Sequence, residues 1–413
     1  MKVLWTVNLI PREAANTLHL PREVLGGWVE AMSAQLRQFP NIQLAIACKC
    51  EKQDFCETIN GITYYSLNYS SPLEPQCEAI INSIRPSLIH IEGTEFLHAL
   101  TMMQTARKAG VPAIISLQGI LNGQYNYQCG QLPMDDMMLS TSLTSILTAW
   151  LLHLRKTRWY KPRLQPEREL LAQAEYILGR TTWDRAHAYA LNPHARYFSC
   201  SRVLRQPFYE VQWNLDRLER HSLYVGNGYY ALKGLHFVLQ ALPLLKREYP
   251  DVKLYVAGHK PYRDKDPRPF YKKAYGSYLH KLIQDLDVAE QVVFTGPLQA
   301  DQVAERLSRV NAYVLCSTIE NSPNTLGEAM LVGTPCVAAY VGGVPDMTVD
   351  QEEALFYRND DPVLLAWNIK RIFDDDKLAQ KLSANARQHA LITHDPQRNA
   401  QQLIDAYQNV LKN

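Results

Sequence analysis

STIENSPNTLGEAMLVGTPCVAAYVGGVPD, residues Ser317 to Asp346, reads as a strand end, a polar loop, a helix and a second strand. Glu320 and Glu328 stand in it with seven residues between them. Glu320 lies on the passage from strand to loop, and Glu328 about one turn into a helix that starts near Asn324 or Thr325. The loop Asn321-Ser322-Pro323-Asn324 supplies polar caps and a pre-set turn before that helix. Unsatisfied N–H groups at a helix start attract a diphosphate, and carboxylates accept hydrogen bonds from vicinal hydroxyls. Beyond the second strand, Gly342-Gly343-Val344-Pro345 lets the backbone come close to a ligand. Two glutamates alone would be an ordinary solvated feature; the whole segment is far more specific.

Outward from this segment, short apolar strands alternate with helices. Strands fall at 222–225, 252–257, 291–295, 312–316 and 335–339, and helices at 234–248, 275–286, 300–307 and 325–332, with three more helical segments at the end. The first half repeats the pattern, with strands at 2–7, 43–48, 88–91 and 112–117 and helices at 24–37 and 95–109. Such alternation implies parallel, doubly wound α/β sheets. The expected organisation is a first Rossmann-like domain over 1–205, a linker over 206–221 and a second domain over 222–395. A final helix at 396–413 is expected to pack back toward the first domain. Open α/β sheets bind ligands at their carboxyl edges, and two joined sheets leave a cleft between those edges.

A second informative stretch is Tyr224 to Gly234, YVGNGYYALKG, which sets Lys233-Gly234 between a strand and a helix. Together with GluAlaMet at 328–330 and GlyThrPro at 333–335, it resembles glycosyltransferase family 4, a retaining group with the GT-B fold, of the bacterial surface-polysaccharide type. The likeness continues through PDVKLYVAG at 250–258 and VVFTGPL at 292–298. It implies two Rossmann-like domains facing across a cleft, and transfer of a hexose from a UDP- or GDP-sugar to a hydroxyl of a glycan or lipid-linked acceptor. Catalytic roles are implied for Lys233, which would neutralise the leaving diphosphate, and for Glu320, which would orient the transferred sugar. Asn321, Ser322, Pro323 and Asn324 would contact that sugar, Thr325 and Leu326 would offer amides to the phosphates, and Glu328 would hold the ribose. Gly296, Pro297 and Leu298 would flank the base. The resemblance implies neither metal nor cofactor, because the nucleotide-sugar is a substrate. Many members carry an arginine beside the glycine of the first C-domain strand; here the donor-side position after Gly226 is Asn227. Lys233 is then the single clamp unless Arg263, Arg268 or an N-domain residue adds to it.

In the first half, Gly26-Gly27 begins a helix after a long loop at a carboxyl edge, where the family has a Gly-rich loop near the donor phosphates. Gln118-Gly119 stands where many relatives have His-Gly. Glutamine cannot take a proton, which a front-face transfer tolerates because the departing phosphate oxygen accepts it. His90 and Glu95, at the end of another strand, are expected near the acceptor, although a strand-end histidine is more often structural. The loop around Tyr125, Asn126 and Tyr127 reads as an acceptor wall, and Arg180 to Asp184 as the cap of a helix on the far side of the domain.

The bulk composition limits the alternatives. With 46% apolar and 20% charged residues the chain reads as globular, and a formal charge of +2 is too small for a general nucleic-acid binder. Eight scattered cysteines without metal-type spacing, and the absence of a leader-like start, point to reduced thiols and the cytoplasm. No run of eighteen apolar residues is present. The apolar stretch 137–154, followed by Arg155, Lys156, Arg158, Lys161 and Arg163, suits either a buried helix with a basic end or peripheral contact with the inner membrane face. Two readings besides transfer share the fold: a nucleotide-sugar 2-epimerase and a non-catalytic nucleotide-sugar-binding subunit.

Overall fold

Alternating strands and helices build two sheets, one in each of two units, in a computed structural model that describes residues 1–20, 26–50, 53–139, 142–262 and 274–412. The first sheet contains β1 (Lys2–Val7), β2 (Gln43–Lys49), β3 (Cys56–Ile59), β4 (Ile62–Leu67), β5 (Leu88–Glu92), β6 (Ala113–Ser116), β7 (Tyr176–Gly179) and β8 (Arg196–Ser199). Their order is β3-β4-β2-β1-β5-β6-β7-β8, parallel except for β3. The second contains β9 (Glu219–Val225), β10 (Lys253–Val256), β11 (Val292–Phe294), β12 (Val310–Leu315), β13 (Cys336–Ala339) and β14 (Ala354–Tyr357). It is wholly parallel in the order β11-β10-β9-β12-β13-β14, so its strands run third, second, first, fourth, fifth, sixth across the sheet. That order reverses direction between β9 and β12, and the crevice outside such a reversal is where doubly wound sheets bind ligands.

The units are not continuous in sequence. Unit 1 holds Met1–Gly123, Pro162–Arg205 and His394–Asn413; unit 2 holds Gln124–Lys161 and Gln206–Thr393. Residues 124–161, expected in the first domain, therefore group with the second. The physical reason is a set of direct bonds: Thr148 donates to the Ala274 carbonyl at 3.0 Å, and Gly130 lies so close to Ala231 that a Cβ would stand 2.3 Å from its carbonyl oxygen. The stretch 206–221 is likewise no free linker. Phe208 and Trp213 are buried in unit 2, and Trp213 donates its indole N–H to the Val310 carbonyl at 2.8 Å.

The apolar stretch 137–154 is not one helix. It divides into Met134–Met138 and Leu143–Arg155, and a wide turn over Lys156–Tyr160 leads into Lys161–Gln173. Helix Leu143–Arg155 buries Thr148, Ala149, Leu151 and Leu152 while Leu143 and Trp150 stay exposed. Among the described residues no helix is long and apolar enough to cross a membrane.

Unit 1 packs a core on each face of its sheet. Val3, Trp5 and Val7 of β1 face the helices Gly27–Leu36 and Pro396–Leu411, while Leu4 faces the helices Leu73–Ile84 and Leu97–Lys108. The last helix is fastened through Tyr407. Its hydroxyl accepts the Trp5 indole N–H at 2.9 Å and donates to His90 Nδ1 at 2.6 Å. Tyr407→Phe leaves the indole N–H and the imidazole nitrogen buried without partners, at a cost of about 1–3 kcal/mol each. Thermal melts should record a fall of several degrees, and an unchanged midpoint would contradict this arrangement.

Candidate functional site

The reversal point of unit 2 is formed by the segments leaving β9 and β12. After β9, Gly226 packs against Thr325, whose Cγ2 would lie 3.2 Å from an added Cβ, and Asn227 Oδ1 accepts the Tyr229 amide at 3.0 Å. A short 3-10 turn, Ala231–Lys233, ends at Gly234 with φ at 68°. A Cβ on Gly234 would stand 1.8 Å from the Cys316 carbonyl oxygen, so only glycine lets this turn reach the end of β12. The two segments are then bonded together: the Thr318 amide donates to the Leu232 carbonyl at 2.8 Å, and Cys316 Sγ–H to that of Lys233 at 3.1 Å.

This approach brings the Lys233 ammonium onto Glu320 Oε1. Ser317 Oγ donates to the same carboxylate oxygen at 2.7 Å. The side chains are only 20% and 12% exposed, so the pair is largely withdrawn from solvent. Burial works against the ammonium, but Glu320 and Tyr230 outweigh it and hold Lys233 protonated above its usual range. On the far side, the Gly343 amide donates to the Glu320 carbonyl at 3.0 Å, and a Cβ on Gly342 would meet that oxygen at 1.9 Å.

Helix Asn324–Val332 begins four residues after Glu320 and has Pro323 as its N-cap. Its first intrahelical bonds start at Leu326, so the Asn324 and Thr325 amides belong to the open first turn. Tyr313 donates to Thr325 Oγ1 at 2.8 Å, which fixes that turn over β12. Glu328 is one turn further in and only 4% exposed; Asn321 is buried too, while Ser322 is half-buried. Gly296 is joined to Gly258 by reciprocal amide–carbonyl bonds of 3.0 and 3.1 Å, which places Gly296, Pro297 and Leu298 beside the end of β10. That is one strand away from the Lys233 turn. Arg263 and Arg268 fall outside the described residues.

Three contributors escape sequence reasoning. Ser317 steadies Glu320 and Tyr230 flanks Lys233; both lie inside the two informative stretches, but nothing in the residue pattern gives them a role. The segment after Gln124 touches the site from unit 2 itself: Thr318 Oγ1 donates to the Tyr127 carbonyl at 3.3 Å, and His236 Nε2 bonds to the Gly130 carbonyl at 3.0 Å. Burial holds His236 neutral, pushed down to about 3, so its single proton sits on Nε2 while Nδ1 accepts from Tyr275 at 2.8 Å. Gly130, at φ 69°, holds a backbone conformation that glycine adopts without strain, and in the sequence only its identity as glycine points to the close approach.

In unit 1 the expected residues separate into groups. Glu95, Gln118 and Gly119 meet at the ends of β5 and β6, where Glu95 accepts the Thr94 amide at 2.9 Å and the Gly119 amide at 3.2 Å. His90 is not brought to an open edge; it is enclosed within β5 between Trp5 and Tyr407. Gly26, at φ 97°, caps helix Gly27–Leu36, and a Cβ there would strike Leu9. Gly27 lies against the Arg205 side chain. Arg180 to Asp184 are not remote from the strand ends: Arg180 follows β7 and donates to the Leu117 carbonyl at 2.6 Å, while Thr181 and Asp184 form a capping box.

Burial, reinforced by the Glu167 carboxylate and opposed by the backbone bonds, pushes the Glu95 carboxyl up to about 7. A raised carboxyl favours the folded state while it is protonated. Its contribution is complete below pH 4.5 and disappears as pH rises through about 7. Glu95→Gln should therefore lose less stability than the wild type across that window in denaturant titrations. Parallel curves would refute the assignment.

Residues 206–389 match the family described as glycosyl transferases group 1. An uncharacterized glycosyltransferase of Methanocaldococcus jannaschii is 25% identical over 189 residues, 46% of this chain and 45% of that protein. The chain thus spans under half the length of this curated relative. Among solved structures, sucrose-phosphate synthase from Thermosynechococcus elongatus superposes with a TM-score of 0.74 at 16% identity, covering 100% of this chain and 99% of that one. Anabaena HepE in complex with UDP does so with a TM-score of 0.68 at 14% identity, covering 99% and 100%. Residues 206–389 thus match the group 1 glycosyl transferase family, and the chain has the two-sheet α/β fold seen in GT-B glycosyltransferase structures.

Proposed function

We propose that this chain is a retaining, metal-independent glycosyltransferase that moves a hexose from a UDP- or GDP-sugar to a hydroxyl of a glycan or lipid-linked acceptor. The observation that carries the reading is the buried Lys233–Glu320 pair at the β9/β12 reversal, beside the open start of helix Asn324–Val332. A diphosphate there meets an ammonium kept charged and the positive end of a helix. Glu328, buried one turn in, is suited to the ribose hydroxyls, and Glu320 to those of the sugar. HepE, solved with UDP and with UDP-glucose, supports a uridine diphosphate donor.

The transfer proceeds on one face of the sugar. The bond from the anomeric carbon to the phosphate oxygen breaks and that from the anomeric carbon to the acceptor oxygen forms. The acceptor proton passes to the departing phosphate oxygen. Lys233 offsets the charge growing on that oxygen, and Glu320, steadied by Ser317, keeps the sugar in line. By the precedent of fixed charge-stabilising donors, Lys233→Ala should lower kcat by about 10²–10³-fold. Retention is read from the anomeric coupling in the product's NMR spectrum. An inverted product, or sugar released without acceptor, would remove this reading, the second outcome in favour of epimerase chemistry.

Membrane contact is part of the proposal. Leu139 and Leu143 are 86% and 80% exposed, Trp150 and Trp159 are also outward, and Arg155, Arg158 and Lys161 lie beside them. Exposed tryptophans with adjacent cations suit an anionic headgroup layer. Replacing the three cations with serine should abolish flotation with phosphatidylglycerol vesicles, and retained flotation would discard the idea.

A further inference from the structure

Unit 1 has its own order reversal, between β1 and β5, and a charged cluster lies there that the donor site does not use. Glu92, the last residue of β5, is 6% exposed. Its Oε2 stands 3.7 Å from Arg202 Nη2 and its Oε1 3.5 Å from His90 Nε2, both beyond good hydrogen-bond range. Glu92 Oε2, His90 Nε2, Arg202 Nη2 and Arg180 Nε are buried without a hydrogen-bond partner among the described residues. Four orphaned polar atoms in adjoining side chains are costly, because each lost its water on folding.

The two arginines come from neighbouring strand ends, Arg180 after β7 and Arg202 after β8. Arg180 is anchored by its bond to the Leu117 carbonyl, and the Arg202 guanidinium lies 3.5 Å over the ring of Trp28. Both side chains are therefore held with donors unused. They also repel one another. Burial first, and the Arg180 charge second, push Arg202 down to about 9. Glu92 stands 3.7 Å from Arg202, Asp184 accepts the Arg180 backbone amide at 3.0 Å, and burial pushes the Glu95 carboxyl up to about 7.

We propose that Arg180 and Arg202 form an anion pocket at the carboxyl edge of the unit 1 sheet, which takes the carboxylate or phosphate group of an acidic sugar serving as acceptor. The word acceptor rests on the transfer reading above; the anion pocket does not. A guanidinium pair suits either anion, since both present planar or trigonal oxygen sets to a forked donor. Glu92 Oε2 then remains for a hydroxyl of the same sugar.

The test titrates the full chain with glucuronate, glucose 6-phosphate and neutral glucose by calorimetry, and with UDP in parallel. Wild type should bind at least one charged sugar in preference to glucose, and the one bound tells carboxylate from phosphate. Arg180→Gln, at a half-exposed residue, should weaken that binding about tenfold or more, the loss of one charged hydrogen bond, with UDP affinity unchanged. Arg202→Gln should do the same; if it fails to fold, Arg180→Gln still decides. No preference for charge in wild type, or full preference in Arg180→Gln, would overturn the pocket even if UDP binds. Charged-sugar binding without any UDP binding would keep the pocket and discard the transfer reading.

Discussion

An ammonium and a carboxylate pressed together away from water set the terms for the second unit. Taking two charges out of solvent costs several kcal/mol per ion, and mutual attraction returns this only when the contact is close and further hydrogen bonds support it. The Lys233–Glu320 contact meets those terms because Gly234 and Gly342 each let a loop come within clash distance of a carbonyl at the end of the strand passage. Ser317 supplies the extra hydrogen bond. The reversal of strand order between β9 and β12 is what leaves room for both loops. Strand order, glycine position and the charged contact are thus one constraint seen at three scales.

Much of this is legible in the residues because the C-terminal half is locally consistent. Helix 300–307 is read to the residue, and helix Asn324–Val332 follows from its polar loop and the glycine after it. The strands absent from the sequence reading are β3, β4, β7, β8 and β14, and all but β4 are only four residues long. Strand β8 has the sequence RYFS, exposed at both ends and half-exposed between, and gives no apolar run. The hairpin β3–β4 turns at Asn60-Gly61, both at positive φ, and its first strand CETI is polar and mostly exposed, so it shows no apolar alternation. In the site, charged residues within motifs stand out, whereas Ser317, Tyr230 and the carbonyls of Tyr127 and Gly130 do not. Backbone groups have no letter of their own, and the partners of a carbonyl are set by tertiary packing.

The two sheets solve the same topological problem with different chemistry. At the reversal in unit 2 opposite charges satisfy each other, and a ligand must share or displace one of them. At that in unit 1 the charges are close but unsaturated, with Glu92 too distant from Arg202 for a hydrogen bond. A satisfied pair stores the ability to exchange partners, whereas an unsatisfied one stores affinity.

The assignment of residues 124–161 to unit 2, with 394–413 returning to unit 1, means that the polypeptide passes between the units four times. No single cut separates them. A recombination event at residue 205 would exchange unit 2 yet leave behind the piece that supplies the Tyr127 and Gly130 carbonyls, and the incoming half would inherit a foreign wall. Exchange of one half at residue 205 therefore separates Thr318 and His236 from the backbone segment to which they are bonded.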